Sequence, residues 1–364
     1  MQNQFVAQPV HGGNLVWAAS LAGCSPSAIL DFSASINPLG PPLSAIASIT
    51  AHLDALRDYP DPESRDLRCA LGHFHALAPE WILPGNGSAE LLTWVCRELA
   101  ALKATYLPVP AFGDYRRALK AFDATIIPCL MDIDGGLAEQ DVPLRLDQPL
   151  ASDLGDCGVL FNNPHNPTGR LFSRESLRPY LEQFGLVVVD EAFMDFLPSD
   201  TQQSVIDWVP TYPNLVVLRS LTKFYSLPGL RLGYAIAHPE RLRRWQQWRD
   251  PWSVNTLAAA AAIAVLQDID FQQQTLDWLP PARTQLFDAL AQIPGLLPYP
   301  GAANYLLVQT EQSAVDLQLR LLKQRQILIR NCLSFPELGD RFFRVAVRTQ
   351  AENRQLLDGL AATV

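Results

Sequence analysis

From about residue 80 to 240, short apolar runs alternate with amphipathic stretches, and no other feature of the chain narrows its fold so far. The apolar runs lie at 104–109, 125–130, 158–162, 186–190, 214–219 and 232–237. Apolar residues at helical spacing predict helices over 89–102, 114–122 and 174–184. Strands separated by helices point to the α/β class, with a mostly parallel central sheet flanked by helices. After about residue 245 the order changes. A long helical region is followed by a strand at 303–309, a helix at 314–325 and strands near 327–330 and 342–347, which reads as a smaller α+β domain. The 364 residues are too many for one ordinary core. The organisation expected is an N-terminal arm and start of the small domain at 1–40, a large domain at 41–240, and a linker helix with the small C-terminal domain at 241–364.

The first forty residues are rich in Gly, Ser, Asn and Pro, and HGGN at 11–14 builds little core, so the arm is expected to pack on something else. A net charge of -9 argues against a nucleic-acid or anionic-membrane surface, because the average field repels both. The opening MQNQFVAQPV has neither a basic start nor an apolar run, and the longest apolar stretch, 257–266, is ten residues of mostly alanine. No secretory signal or membrane span is expected, and 257–266 reads as a buried helix. The six cysteines are scattered, with no CxxC pair and no histidine at ligand spacing. They read as free thiols in a reducing cytoplasm, with no metal site.

Four segments carry residues suited to chemistry. VLRSLTKFYSLPGLRLGY (217–234) places Ser220, Lys223 and Arg231 after a strand, where α/β proteins gather ligands. A lysine there is ordinarily a surface charge, but the flanking serine and arginine suit an amine that captures a carbonyl cofactor beside a phosphate. GLVVVDEAFMDF (185–196) ends an apolar strand in Asp190. That carboxylate either caps a turn or faces a cation such as a protonated pyridine. FNNPHNPTGRLFS (161–173) holds Asn166 in a turn, where its amide is able to donate to a ring oxygen. ILPGNGSAELL (82–92) sets Gly85, Gly87 and Ser88 before a helix, a common helix start that also suits a phosphate.

Taken in order, GNGSAELL, PAFGDY, NPHNPTG, VVVDEAF and SLTKFYSLPGLRLGY resemble the class I/II aminotransferase family, the aspartate-aminotransferase-like fold type I of pyridoxal 5'-phosphate (PLP) enzymes. The resemblance covers roughly residues 59–234. It implies that Lys223 carries PLP as a Schiff base, that Asp190 pairs with the pyridinium, that Asn166 bonds the ring oxygen and that Phe112 stacks on the ring. Gly87, Ser88, Ser220 and Arg231 match the family's phosphate ligands. Tyr59, in YPDP, matches a tyrosine that reaches the neighbouring subunit's cofactor, so a homodimer with shared sites is implied. Phe193 departs from the pattern, since many transaminases have tyrosine there.

Within the family, HGGN at 11, DFSASINPLGPP at 31, PWSVN at 251, YPGAANYLL at 299, ILIRNC at 327 and FRVAVRT at 343 resemble the branch that decarboxylates L-threonine O-3-phosphate for cobalamin biosynthesis. The resemblance implies a small phosphorylated amino acid as substrate. Arg344 then matches the family's carboxylate arginine, Arg330 adds a guanidinium suited to phosphate, and His11, Asn14, Ser35 and Asn37 of the arm line the substrate pocket. The competing branch transaminates histidinol phosphate. It shares YPDP, the lysine motif and the C-terminal arginine, but normally has tyrosine at 193 and lacks HGGN. A PLP-binding protein without turnover is the weakest alternative, because Lys223 and its partners are intact.

Overall fold

The computed structural model describes residues 9–133 and 154–364. The first eight residues of the expected arm lie outside the described residues. The chain forms two compact units, one from Ile36–Pro281 with Pro300–Asn304, the other from residues up to Ser35 with Ala282–Tyr299 and Tyr305–Val364.

The larger unit is built on a seven-stranded sheet of Ile82–Asn86 (β1), Ala104–Val109 (β2), Ile126–Leu130 (β3), Cys157–Asn162 (β4), Leu186–Asp190 (β5), Leu215–Ser220 (β6) and Leu232–Ala237 (β7). The spatial order is β1-β7-β6-β5-β4-β2-β3. β2 to β6 run parallel, and every residue of β2, β4, β5 and β6 is buried, as a sheet covered on both faces requires. The expected runs all appear as strands. β7, however, is antiparallel to both its neighbours. Between β6 and β7 the chain makes only the short helix Leu221–Phe224 and the turn Pro228–Leu230, which leaves no crossover helix to bring it back parallel.

The edge strand β1 was not anticipated, because Pro84 and Gly85 disguise it. An edge position tolerates both, since proline there forfeits no ladder bond on its open side. The helix expected over 174–184 is instead a 3-10 turn, Arg174–Leu177, followed by the helix Arg178–Gln183, because Pro179 opens a new first turn. The apolar stretch at 257–266 lies in the helix Thr256–Leu266, which buries Ala258, Ala261, Ala262 and Val265. No described helix is long and apolar enough to cross a membrane.

In the smaller unit Leu296–Pro298 (β8), Tyr305–Thr310 (β9), Arg330–Asn331 (β10) and Phe342–Ala346 (β11) make an antiparallel sheet of order β10-β11-β9-β8. The strand expected near 327–330 divides, since Ile327–Leu328 pairs in parallel with Leu30–Asp31 and β10 pairs with β11. The helix Leu15–Ala22 seats Trp17, Ala18 and Ala19 against Leu322 and Leu328. The 23-residue helix Ile269–Ala291 contains Pro280 and Pro281, and the boundary between the units falls just after them.

The core of the larger unit lies where the helix Ser88–Ala100 crosses the sheet, with Leu91, Val95 and Leu99 against Leu107, Leu160 and Val216. The position a Cβ would take on Gly158 is already filled by the Leu99 side chain. Leu99→Ala opens a cavity between the helix Ser88–Ala100 and the sheet and is expected to cost about 2–5 kcal/mol, read as a lower urea midpoint. An unchanged midpoint would show that this contact does not hold the helix on the sheet.

Candidate active site

The register of the large sheet lines up the ends of the parallel strands. Asn162 of β4 faces Asp190 of β5, Asp190 faces Leu218 of β6, and Ser220 at the end of β6 faces Gly233 of β7, which in turn faces Gly85 of β1. Residues far apart in sequence, Asp190 and Ser220 among them, therefore share one edge, the place where open α/β sheets bind ligands.

Asp190 is 8% exposed. Its Oδ2 accepts a hydrogen bond from the Tyr115 hydroxyl at 2.7 Å, and its Oδ1 accepts from the Ala192 amide at 3.0 Å. Burial pushes its pKa up, while Tyr115, the Ala192 amide and the charge of Lys223 partly offset the shift. A half-compensated carboxylate of this kind suits a cationic ligand atom. Lys223 sits on the short helix Leu221–Phe224, whose start Ser220 caps. The Lys223 carbonyl accepts from the Asn37 amide at 3.1 Å.

The neighbouring residues Glu191 and Arg219 form a buried pair that ties the two strand ends together. Arg219 donates to Glu191 Oε2 at 3.0 Å and to Ser204 at 3.0 Å, and it also meets Asp195. Burial acts to lower the Arg219 pKa, and Asp195 and Glu191 outweigh it and raise the pKa. With its charges paired and hydrogen-bonded, the cluster fixes Asp190 and Ser220 through their chain neighbours.

The loop after β4 is held just as firmly. Asn162 donates to the Asp190 carbonyl at 2.8 Å and accepts from the Asn166 amide at 2.7 Å. His165 bonds Thr168 at 2.8 Å and the Pro110 carbonyl, and burial lowers its pKa to about 3, so it is neutral. His165 thereby couples the Asn166 loop to the segment that carries Phe112, whose ring meets Tyr115 edge-on at 5.5 Å.

Gly87 has φ +78 and precedes Ser88, the first residue of a 13-residue helix whose free amides favour an anion. A Cβ on Gly87 would lie 2.6 Å from Arg231 Nη2, and one on Gly233 would collide with the Ser88 amide nitrogen. The Ser220 hydroxyl, 2.7 Å from that of Thr222, flanks this cradle. Only glycine leaves room for an oxyanion between the Arg231 guanidinium and the helix start. The donor set fits a phosphorylated pyridine. Gly87, Ser88, Ser220 and Arg231 suit its phosphate, Asp190 its ring nitrogen, Asn166 its ring oxygen, Phe112 its face, and Lys223 its carbonyl carbon.

The other expected residues take several roles. Asn37 spends its carboxamide on the chain, donating to the Phe224 carbonyl and Thr275 and accepting from the Leu39 amide, which steadies the segment after Lys223. Tyr59 is 79% exposed and stacks on Trp252 with centroids 4.5 Å apart. In the smaller unit Arg330 and Arg344 face each other across β10 and β11. Arg344 lies over the Tyr305 ring at 4.5 Å. Arg330 donates to the carbonyls of Pro9 and Val10 and to Ser334, and burial followed by the charge of Arg344 lowers its pKa to about 10. Arg348 pairs with Glu352. Asn14 caps the helix Leu15–Ala22 through the Trp17 amide, His11 lies in the adjoining turn, and the buried Ser35 hydroxyl has no partner.

Tyr115 bonds Asp190, and Glu191 and Arg219 pair beside it, contacts that no motif in the sequence announces. Tyr115 follows Phe112 by three residues, helical spacing that turns its hydroxyl toward Asp190, and this was the one available signal.

The family model for aminotransferase class I and II matches residues 27–360. The chain belongs to this family. It is 42% identical to the threonine-phosphate decarboxylase of Salmonella typhimurium over 358 residues, which cover 96% of the chain and 95% of that relative. It is 29% identical, over 97% of its length and 41% of the relative, to the adenosylcobalamin biosynthesis bifunctional protein CobDQ of Leptospira interrogans. The fold is that of histidinol-phosphate aminotransferase from Sinorhizobium meliloti, solved with pyridoxal-5'-phosphate (TM-score 0.81, 23% identity, 100% of this chain and 98% of that one).

Because burial raises the Asp190 pKa, its ionised form costs the cofactor-free fold stability above the ordinary carboxylate range. Asp190→Asn is therefore expected to raise the melting temperature of the cofactor-free protein at pH 7. The gain should shrink as pH falls toward 4, where the unfolded carboxyl also takes up its proton. Thermal melts across that pH range check this, and a variant that melts lower at every pH would contradict it.

Proposed function

We propose that this chain is a PLP-dependent carboxy-lyase that converts L-threonine O-3-phosphate to (R)-1-aminopropan-2-ol O-2-phosphate and carbon dioxide for cobalamin biosynthesis. The observation that carries the reading is the near-full-length 42% identity to a threonine-phosphate decarboxylase. The cross-strand pair Arg330 and Arg344 supports it, because two guanidiniums suit a substrate with both a phosphate and a carboxylate.

When bound, PLP withdraws electrons from whichever bond at the substrate α-carbon stands perpendicular to its ring. The protein's part is to choose that bond. Arg330 and Arg344 are assigned to the two substrate anions. An arginine that holds the phosphate frees the carboxylate from the ring plane, so the bond to the carboxyl carbon is the one weakened. Asp190 keeps the ring nitrogen protonated, and the buried Glu191–Arg219 pair keeps Asp190 in place. Lys223, which would hold the cofactor, is assigned the further task of returning a proton to the α-carbon once carbon dioxide has left. Phe193 is buried and brings no hydroxyl to the ring oxygen, which leaves that oxygen to Asn166. His11 and Ser35 are assigned to the substrate, and Asn14 and Asn37 serve through the backbone they hold.

The reading includes a homodimer with shared sites. Leu43, Leu53, Leu56, Tyr59 and Trp252 of the larger unit are large exposed apolar side chains, a surface suited to a second copy. It also places the enzyme in the cytoplasm, where its six free cysteines stay reduced. With a net charge of -9, a nucleic-acid partner forms no part of the reading.

Incubating PLP-loaded protein with L-threonine O-3-phosphate, without any 2-oxo acid, is expected to release carbon dioxide and the phosphorylated aminopropanol over many turnovers. No release, together with amino transfer from histidinol phosphate to 2-oxoglutarate, would move the enzyme to the aminotransferase class. Lys223→Ala should lose activity and the bound-cofactor absorbance together. Arg344→Ala should keep that absorbance and raise KM by roughly ten- to a hundredfold, the loss of a charge-assisted hydrogen bond. An active Lys223→Ala protein would refute the assignment of the anchor.

A further inference from the structure

The turn that leads into the phosphate cradle is fastened by two charged side chains. Glu90, the third residue of the helix Ser88–Ala100, reaches back so that its Oε2 accepts from the Asn86 amide at 2.6 Å, while its Oε1 accepts from Trp94 Nε1 at 3.1 Å. A Cβ on Gly85 would lie 2.9 Å from Glu90 Oε2, so glycine at this position is what leaves room for the carboxylate. Arg249, at the end of the helix Pro239–Trp248, donates to the Pro84 carbonyl. Pro84 and Asn86 belong to β1, an edge strand with β7 as its one neighbour, so these two bonds supplement a ladder that holds it from one side.

Holding the turn with a carboxylate has an electrostatic consequence. Asn86 directly precedes Gly87, so the Glu90 charge lies beside the place assigned to a phosphate, and like charges at such range repel. Arg249 stands where it offsets that charge. Its Nη1 is 3.8 Å from Glu90 Oε1, too far for a hydrogen bond, and the two side chains are 3% and 16% exposed, so water and salt screen their attraction little. Burial lowers the Arg249 pKa, Glu90 and Asp250 work against the shift, and Arg68 adds to it. The guanidinium nonetheless stays ionised. A buried cation is unfavourable by itself, and this one is bonded to the turn and lies beside the carboxylate that fastens it.

We propose that Arg249 is a positioning residue for the cofactor phosphate, which acts by holding the Pro84 carbonyl and by cancelling the charge of Glu90. The turn is then fastened by a carboxylate that does not repel the phosphate. The inference rests on the assignment of the cofactor phosphate to Gly87, Ser88, Ser220 and Arg231, and it is independent of the substrate.

The test titrates the cofactor-free protein with pyridoxal 5'-phosphate and with pyridoxal, which has no phosphate, and reads the absorbance of the bound cofactor. Arg249→Met, which keeps an unbranched stem and removes the charge, is expected to weaken pyridoxal 5'-phosphate about tenfold or more and pyridoxal by less than about twofold. Adding Glu90→Gln, which keeps an acceptor for the Asn86 amide and removes the negative charge, should recover at least about threefold of the lost affinity. Equal weakening of both ligands in Arg249→Met, or no weakening of either, would overturn the inference. So would a double variant that binds pyridoxal 5'-phosphate no better than Arg249→Met, since an arginine with a purely structural part is not rescued by changing a second anchor. If Arg249→Met does not fold, Glu90→Gln alone decides. It should bind pyridoxal 5'-phosphate at least as tightly as wild type, and weaker binding would overturn the inference. Arg231→Gln, in the cradle itself, should weaken pyridoxal 5'-phosphate and spare pyridoxal. If it changes neither, the phosphate assignment fails and the inference falls with it. If it behaves as expected while Arg249→Met leaves both ligands unchanged, the inference alone falls.

Discussion

Burying the Asp190 carboxylate at the end of a fully covered strand imposes a requirement that much of the larger unit meets. Tyr115 and the Ala192 amide each bond one of its oxygens, and Lys223 adds a positive field. These contacts reduce the penalty of burial without removing it, and the raised pKa is the measure of what is left. Such a residual suits a pyridinium ligand and makes the site less favourable without one. The stiffness around Asp190 follows from this. Glu191 locks to Arg219 on the next strand, and Asn162 locks to the Asp190 carbonyl, so the backbone that carries the carboxylate is held in place.

The same stiffness extends to the phosphate cradle. Gly85, Gly233 and Ser220 face one another across three strands because β7 runs against its neighbours, which brings the start of the Ser88–Ala100 helix beside the Arg231 loop. A fully parallel sheet would have carried β7 past this point. The reversal of one strand is therefore part of how the site is made, and the short turns at Leu221–Phe224 and Pro228–Leu230 impose it.

Strands such as Ala104–Val109, Leu186–Asp190 and Leu232–Ala237 were legible in the sequence because burial on both faces leaves them apolar from end to end. The direction of β7 was not, since periodicity carries no sense of direction and only the connection decides it. β1 was hidden by Pro84 and Gly85, which an edge strand tolerates. The candidate cofactor residues follow from motif order, and the structure lines up the strand ends that carry Asp190 and Ser220 along one sheet edge, whereas Tyr59 lies exposed against Trp252. Tyr115, Glu191 and Arg219 gave less away, because a tyrosine on a helix or a charged residue at a strand end ordinarily has only a structural part. Asn14 and Asn37 mark the opposite limit, since a polar side chain in a loop gives no sign of whether it serves a ligand or the backbone.

Orientation of the bond at the α-carbon is the centre of the account, and turnover of L-threonine O-3-phosphate in deuterium oxide tests it most directly. If the carboxylate is held perpendicular to the ring, the product should carry one deuterium at the carbon that lost carbon dioxide, and recovered substrate should carry none at its α-carbon. Deuterium in recovered substrate, with little product, would show that the C–H bond is the one exposed, and would contradict the decarboxylase assignment.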